Sequence, residues 1–299
     1  MGTPFISILE PTRLDDYDRL RPHDKQDQGT HIPKVFCDAM EVREAVFVRE
    51  QGVPLEYEHD SDDARSCHWV MYASVNRKLT PEEAEERRDG KTGETPKSET
   101  VSEPIGTMRV VPFPHPPHPC EGGGYVDNVL QNGPSSEAGE TQGQTESAAA
   151  GVEGDAKSKT GFKEQQASLQ TGQDRETTYH DGKEPYVKIG RMAVVKEYRG
   201  HNVSAQLWRA ARTWLEQNPS FFNPSVRELG LDQVGISGTD EVLEWKGLVC
   251  CHAQEQVVKV YERWGFKVDE KMGRWLEEGI SHVGMFIRVD IKKETPMVI

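Results

Sequence analysis

Two long stretches of this 299-residue chain are too polar to belong to a core, and they decide how the rest can fold. "TPEEAEERRDGKTGETPKSETVSE" (80–103) and the run over 120–184 are dominated by Gly, Ser, Thr, Gln and Glu. Such segments bury too little apolar surface to offset the entropy of ordering them. They read as largely disordered insertions, over 79–104 and 119–184, within one domain spanning 1–299. Residues 125–130 are the one part of the second stretch apolar enough to dock. The charge has the same distribution. Eight acidic against four basic residues in 79–104, and twelve against five in 119–184, hold 11 of the chain's 14 net negative charges. What remains, about 207 residues, suits one domain. It is close to neutral and lacks the clustered basic face of a nucleic-acid binder.

Five cysteines, at 37, 67, 120, 250 and 251, include no Cys-x-x-Cys spacing, so neither a cysteine zinc site nor a disulfide framework is encoded. Reduced thiols fit a soluble chain of the cytoplasm or nucleus. No stretch approaches the roughly 20 apolar residues that span a bilayer, and no membrane partner is expected. "PHPPHP" (114–119) carries His115 and His118. It reads as an extended proline-rich linker rather than a metal-binding pair, and no metal is expected.

Outside the insertions, helix and strand signals alternate. A helix is expected over 38–51, with Asp38 and Glu41 as a capping-box-like pair, an apolar face of Ala39, Val42, Val46 and Phe47, and Gly52 as its stop. "CHWVMYASV" (67–75) and "PIGTMRVVPF" (104–113) read as paired strands joined through the first insertion. "PYVKIGRMAVV" (185–195) is a further strand. From Ser204 onward, Ala205, Leu207, Trp208, Ala211, Trp214 and Leu215 recur at helical spacing. "GLVCCHAQ" (247–254) is a buried strand, 255–266 a helix with Gly265 placed for a left-handed cap, and 282–291 a last strand. Residues 218–245 read as loop with a short helix.

Between the strand at 185–195 and the helix after it lies "KEYRGHNVS" (196–204). A strand running through a turn into a helix presents backbone N–H groups at the positive end of the helix dipole, where phosphate binds. Arg199 adds a charged donor at the rim and Gly200 permits φ > 0. An ordinary connection with a surface arginine fits the turn equally well. It is neither a Walker loop nor a dinucleotide fingerprint, because neither glycine spacing is present.

The turn resembles the acyl-CoA-binding loop of the GNAT N-acetyltransferase superfamily, Gln/Arg-x-x-Gly-x-Gly/Ala. Arg199, Gly200, His201, Asn202, Val203 and Ser204 lie on that pattern, with Asn202 and Ser204 in place of small signature residues. "MEVREAVFVREQGVPLEYEHDSDD" (40–63), "HAQEQVVKVYERWGF" (252–266) and "EEGISHVGM" (277–285) are similar, in the same order, to segments of the ElaA-like branch. The resemblance covers about 36–78, 104–113 and 185–290.

It implies the GNAT acyl-CoA N-acyltransferase fold, α/β (α+β), with a mixed central sheet splayed between its fourth and fifth strands. It implies acetyl-CoA as co-substrate, its pantetheine on the backbone of Met192, Ala193 and Val194 and its pyrophosphate on 199–204. The expected reaction is acetyl transfer to the primary amine of a small molecule by a monomer or homodimer. A non-catalytic acyl-CoA-binding module and a protein N-acetyltransferase are the alternatives. Tyr261 lies where the family keeps a thiolate-protonating tyrosine, the alternative being a helix-face aromatic packed in the core. The strand at 185–195 has no carboxylate, so Glu50 and His252 are the candidates for the base, alongside a water relay. The acidic run Glu56, Glu58, His59, Asp60, Asp62 and Asp63 would draw a cationic amine or stand as a solvated loop, and His282 would line the acceptor pocket or pack against the last strand.

Overall fold

The computed structural model describes residues 4–27, 31–86, 98–133, 174–223 and 244–291. In chain order the described elements are β1 (Phe5–Leu9), α1 (Lys34–Arg43), β2 (Cys67–Lys78), α2 (Pro81–Glu86), β3 (Ser98–Val111), β4 (Gly124–Val126), β5 (Val129–Asn132), β6 (Val187–Val194), α3 (Val203–Gln217), β7 (Leu248–Gln254), α4 (Val258–Arg263), β8 (Lys267–Val268), β9 (Arg274–Glu277) and β10 (Ile280–Arg288). They gather into two compact units, where the sequence reading has one domain. The first holds 1–113, 185–252 and 286–299; the second holds 114–184 and 253–285.

In the first unit β1, β2, β3 and β6 are antiparallel neighbours in that order, and β7 joins β6 in parallel. The sheet is therefore mixed, with β6 and β7 as its fourth and fifth strands. Successive side chains of β2 point to opposite faces, and both faces are covered. Val70 and Tyr72 pack with Ala39 of α1, while Trp69 meets Trp214 of α3 edge to face at 5.7 Å. Burial on both sides explains the near-continuous apolar run in that strand.

Helix α1 starts at Lys34, four residues before the expected start, and passes at Glu44 into a wider π turn that runs to Glu50. Asp38 is thus inside the helix and not its cap. Its carboxylate is taken by Lys34 Nζ at 2.6 Å and by the Tyr72 hydroxyl at 2.7 Å. Pro33 just precedes the first turn, and the apolar stripe already includes the fully buried Phe36. Gly52, at φ +77°, ends the element as expected.

The first polar stretch contains more regular structure than its composition suggests. β2 and β3 stay paired out to Lys78 and Ser98, so 98–104 are strand and 81–86 are helix. A two-stranded ribbon satisfies its backbone whether or not its side chains are apolar, and Arg77 ties its strands through ion pairs to Glu99 and Glu83. The expectations for 87–97, 134–173 and 224–243 lie outside the described residues.

In the second unit β10, β9, β4 and β5 are neighbours in that order, and β8 pairs with β10. Residues 125–130 dock as a hairpin whose turn residues Asp127 and Asn128 have φ of 47° and 60°, the left-handed pair of a two-residue hairpin turn. Residues 174–184 are also ordered against this unit. The Asp269 carboxylate accepts from the backbone N–H of Thr178 and Tyr179 at 3.0 and 2.8 Å. Helix α4 closes as anticipated at Gly265, φ +97°, with Phe266 N–H donating back to Tyr261 O at 3.1 Å.

Candidate functional site

The pairing of β6 with β7 runs from Val187 opposite Val249 to Ile189 opposite Cys251 and stops there. β6 itself continues to Val194, still paired to β3 on its other side. From Gly190 to Val194 the edge of β6 toward β7 is therefore outside the ladder, so the sheet parts between its fourth and fifth strands. The departure begins at a bulge. Arg109 pairs with Gly190 and Thr107 with Ala193, so two residues of β6, Arg191 and Met192, oppose Met108 alone. Arg191 sits at φ +49°, a left-handed conformation rare for a side-chain-bearing residue.

Beyond the open edge a short 3-10 turn, Lys196–Tyr198, leads into α3. Gly200 has φ +82° with open space where a Cβ would stand, and Asn202 has φ +60°. Asn202, where the loop pattern has its first glycine, is thus left-handed, and Asn is the side chain that tolerates this best after glycine; Ser204, where the pattern has its second small residue, already lies in α3. Asn202 precedes the first turn of α3, and its carbonyl accepts from Gln206 N–H at 3.0 Å. The N–H groups of Val203, Ser204 and Ala205 belong to that first turn, whose donors point out of the helix end. Gly106 of β3 lets α3 approach the sheet closely: a Cβ there would lie 2.6 Å from Val203 Cγ1.

Two candidates chosen separately in the sequence meet here. Arg199 donates through Nε to Val194 O at 3.0 Å and through Nη2 to Glu50 Oε2 at 2.7 Å. The guanidinium folds the turn back onto the end of β6 and joins it to the end of the π turn. Glu50 is consequently the ion-pair partner of Arg199 at this turn. His252, half-buried, is the first residue of β7 past its last pairing with β6. Tyr261 belongs to the second unit, where it is buried between Trp264 and Phe266, with ring centroids 5.1 and 5.5 Å away. His282, in the same unit, is buried with Nδ1 2.8 Å from Ile280 O.

In the acidic run after α1 Glu56 is exposed, whereas Glu58, Asp60 and Asp63 are taken up by arginines. Glu58 and Asp63 are buried, and with Asp60 they form a network with three arginines from three elements. Arg43 reaches Glu58 at 2.6 Å and Asp63 at 2.7 Å. Arg109 reaches Asp60 and Asp63, both at 2.6 Å. Arg191 reaches Asp60 at 3.0 Å and Glu58 at 3.2 Å. Three carboxylates thus match three guanidiniums, as burial of charge demands. Burial would raise the Asp60 carboxyl, but Arg109 and Arg191 hold it down at about 2. Asp63 is held well below the carboxylate range by Arg43 and Arg109 against the same burial. Burial pushes His68 down to about 4; its Nε2 lies 2.8 Å from Asp63 O. Through Arg191 this network grips the bulge of β6 and so fixes where the sheet opens. The sequence shows only a run of acids; the arginines that neutralise it come from 15 to 133 residues away, which periodicity does not reveal.

No family model matches the sequence, and no curated protein matches it. Among solved structures, an acyl-CoA N-acyltransferase from Pseudomonas aeruginosa is similar at 15% identity, covering 95% of this chain and 99% of that one with a TM-score of 0.40. Escherichia coli ElaA is similar at 13% identity, covering 95% and 99% with a TM-score of 0.39. At that level of superposition, function has to be read from the chain's own residues. Among those described, no helix is long and apolar enough to cross a membrane.

Proposed function

We propose that this chain is an acyl-CoA-dependent N-acyltransferase that takes acetyl-CoA as donor and a primary amine as acceptor. One observation carries the reading. β6 leaves β7 after Ile189, continues from its bulge to Val194 outside the β6–β7 ladder, with Arg199 on Val194 O, and delivers the chain to a left-handed turn at a helix N-terminus. An extended ligand with amides along its length and a pyrophosphate at one end suits that sequence of features. The amides add to the edge of Met192, Ala193 and Val194 as a strand would, and the anion sits on the turn 199–204. The sequence resemblance to the GNAT superfamily points to the same ligand.

In the reaction, a neutral amine nitrogen attacks the thioester carbonyl. The C–N bond forms, the C–S bond breaks, the amine loses a proton and the departing thiolate gains one. With Glu50 occupied by Arg199, His252 is the side chain we assign to proton removal. The resemblance assigns thiolate protonation to Tyr261.

The test is calorimetric titration of acetyl-CoA into the full chain, followed by thiol release across a panel of amines. Arg199→Ala should weaken binding by about 1.5–3 kcal/mol, the worth of a hydrogen bond to a charged group. Asn202→Gly, which keeps the left-handed backbone, should bind as well or better. Affinity indifferent to Arg199 and abolished by Asn202→Gly would overturn the assignment of the loop. Tight binding without thiol release for any amine would leave the chain as an acyl-CoA-binding module.

A further inference from the structure

We propose that His118, Asp174 and His180 form a divalent transition-metal site, best matched to zinc, that pins together the two flanks of the long polar stretch. His118 Nε2 lies 2.9 Å from His180 Nδ1 and 3.5 Å from Asp174 Oδ2, and the ligand atoms of all three residues lie within 4.8 Å of one another. A tetrahedral ion with bonds of about 2.0–2.1 Å holds its ligands about 3.3 Å apart. The two His118 distances bracket that spacing, and the third edge, between Asp174 and His180, is no longer than 4.8 Å. Two imidazole nitrogens and one carboxylate oxygen make a donor set of intermediate softness, suited to zinc rather than to calcium or magnesium.

The surroundings are those of a built site. His118 and His180 are buried, and the Asp174 side chain is 12% exposed. His180 Nε2 lies 2.9 Å from Glu184 O; because a carbonyl only accepts, the proton is on Nε2 and Nδ1 presents its lone pair to the cluster. This is how an outer hydrogen bond orients a ligating histidine. The Asp174 carboxylate is held by the backbone N–H groups of His118, at 3.0 Å to each oxygen, and of Arg175, at 2.7 Å. The turn that brings His180 back is fixed by Thr177 N–H to His180 O at 2.8 Å and Asp174 N–H to Gly182 O at 3.0 Å. Gly182 stands at φ +77°, where a Cβ would strike Asp174 O at 2.3 Å, so glycine is required for the two sides of this loop to meet. His118 comes from the proline-rich segment and the other two ligands from 56 and 62 residues later. Closing a loop of that length by a metal removes chain entropy as a covalent tie would.

The experiment uses the full chain, stripped with chelator and titrated with Zn²⁺ against a chromophoric competitor, with Co²⁺ absorption as the readout of geometry. One equivalent should bind, Co²⁺ should give the intense visible bands of a tetrahedral site without a thiolate charge-transfer band, and Zn²⁺ should raise the melting temperature. His118→Ala, His180→Ala and Asp174→Asn should each lower zinc affinity by at least about 100-fold, more than loss of an outer hydrogen bond would. Asp174→Asn retains an oxygen for the backbone donors and keeps the test valid if an alanine variant fails to fold. Zinc affinity unchanged in Asp174→Asn, a thiolate band with Co²⁺, or a melting temperature that ignores Zn²⁺ would each overturn the site and leave a hydrogen-bonded histidine pair.

Discussion

Arg191 shows how a single residue couples the sheet opening to the loop after α1. Its left-handed backbone costs about 1–3 kcal/mol unless the surroundings hold it, and they do so through Asp60 and Glu58. Removing one partner of such a buried network typically costs about 3–5 kcal/mol, because a charge is left uncompensated. His68 beside it supplies a measurable consequence. Its ring is kept neutral in the fold, with a pKa of about 4 against roughly 6.5 in the unfolded chain. As pH falls from 6.5 to 4 the unfolded chain takes up a proton that the folded chain refuses, so stability is lost across that window and the His68 contribution is flat below it. The loss should approach about 3 kcal/mol. Denaturation of wild type and His68→Gln between pH 7 and 4 checks this: the wild-type curve should be steeper by one proton in that range, and equal slopes would mean the ring is protonated in the fold. Below pH 4 a second loss follows in both proteins as Asp60 is driven toward its pKa of about 2.

At the scale of elements, most of the fold could be read from periodicity, and the places where it could not have identifiable causes. The apolar stripes of α1 and α3, the two-faced apolar run of β2 and the left-handed ends at Gly52 and Gly265 are local signals, and the corresponding elements are present. The start of α1 differs from the sequence expectation because Asp38 has the chemistry of a cap but a partner, Tyr72, from another element. The outer half of β3 leaves no local signal because its side chains are polar while its backbone pairs regardless. The bulge at Arg191 and the close approach at Gly106 depend on which strands become neighbours, and no local pattern records that. Gly106 offers a direct test. A methyl group there would press on Val203 Cγ1 and Leu207 Cδ1, at the first turn of α3, whose N–H donors we assign to the pyrophosphate. Gly106→Ala should cost about 1–3 kcal/mol of stability, as overpacking does, and should weaken acetyl-CoA binding more than Thr107→Ser does on the same strand. A variant as stable as wild type with unchanged affinity would show that α3 can shift freely and that its seating does not define the loop.

For the whole molecule, the question is where the long polar stretch stops contributing. Composition alone places its end near Glu184, yet residues 174–184 carry Asp174 and His180, the tight turn through Thr177, and the backbone donors that Asp269 accepts. Its other flank carries His118 and the β4–β5 hairpin on β9. The flanks are rich in the same polar residues as 134–173; what orders the flanks is a few specific side chains with buried partners in their own unit. Two deletions separate the contributions. Replacing 134–173 with a short Gly/Ser linker should move the melting temperature by no more than a few degrees, because the loop-closure term changes only as the logarithm of loop length, and zinc should still bind. Replacing 133–181 removes Asp174, His180 and the Thr178 and Tyr179 donors together, so it should lower the melting temperature well beyond that and abolish zinc binding. Equal melting temperatures for the two variants would show that the ordered flank contributes nothing to stability. A cooperative loss of folding in the shorter deletion would show that 134–173 holds structural contacts its composition does not suggest.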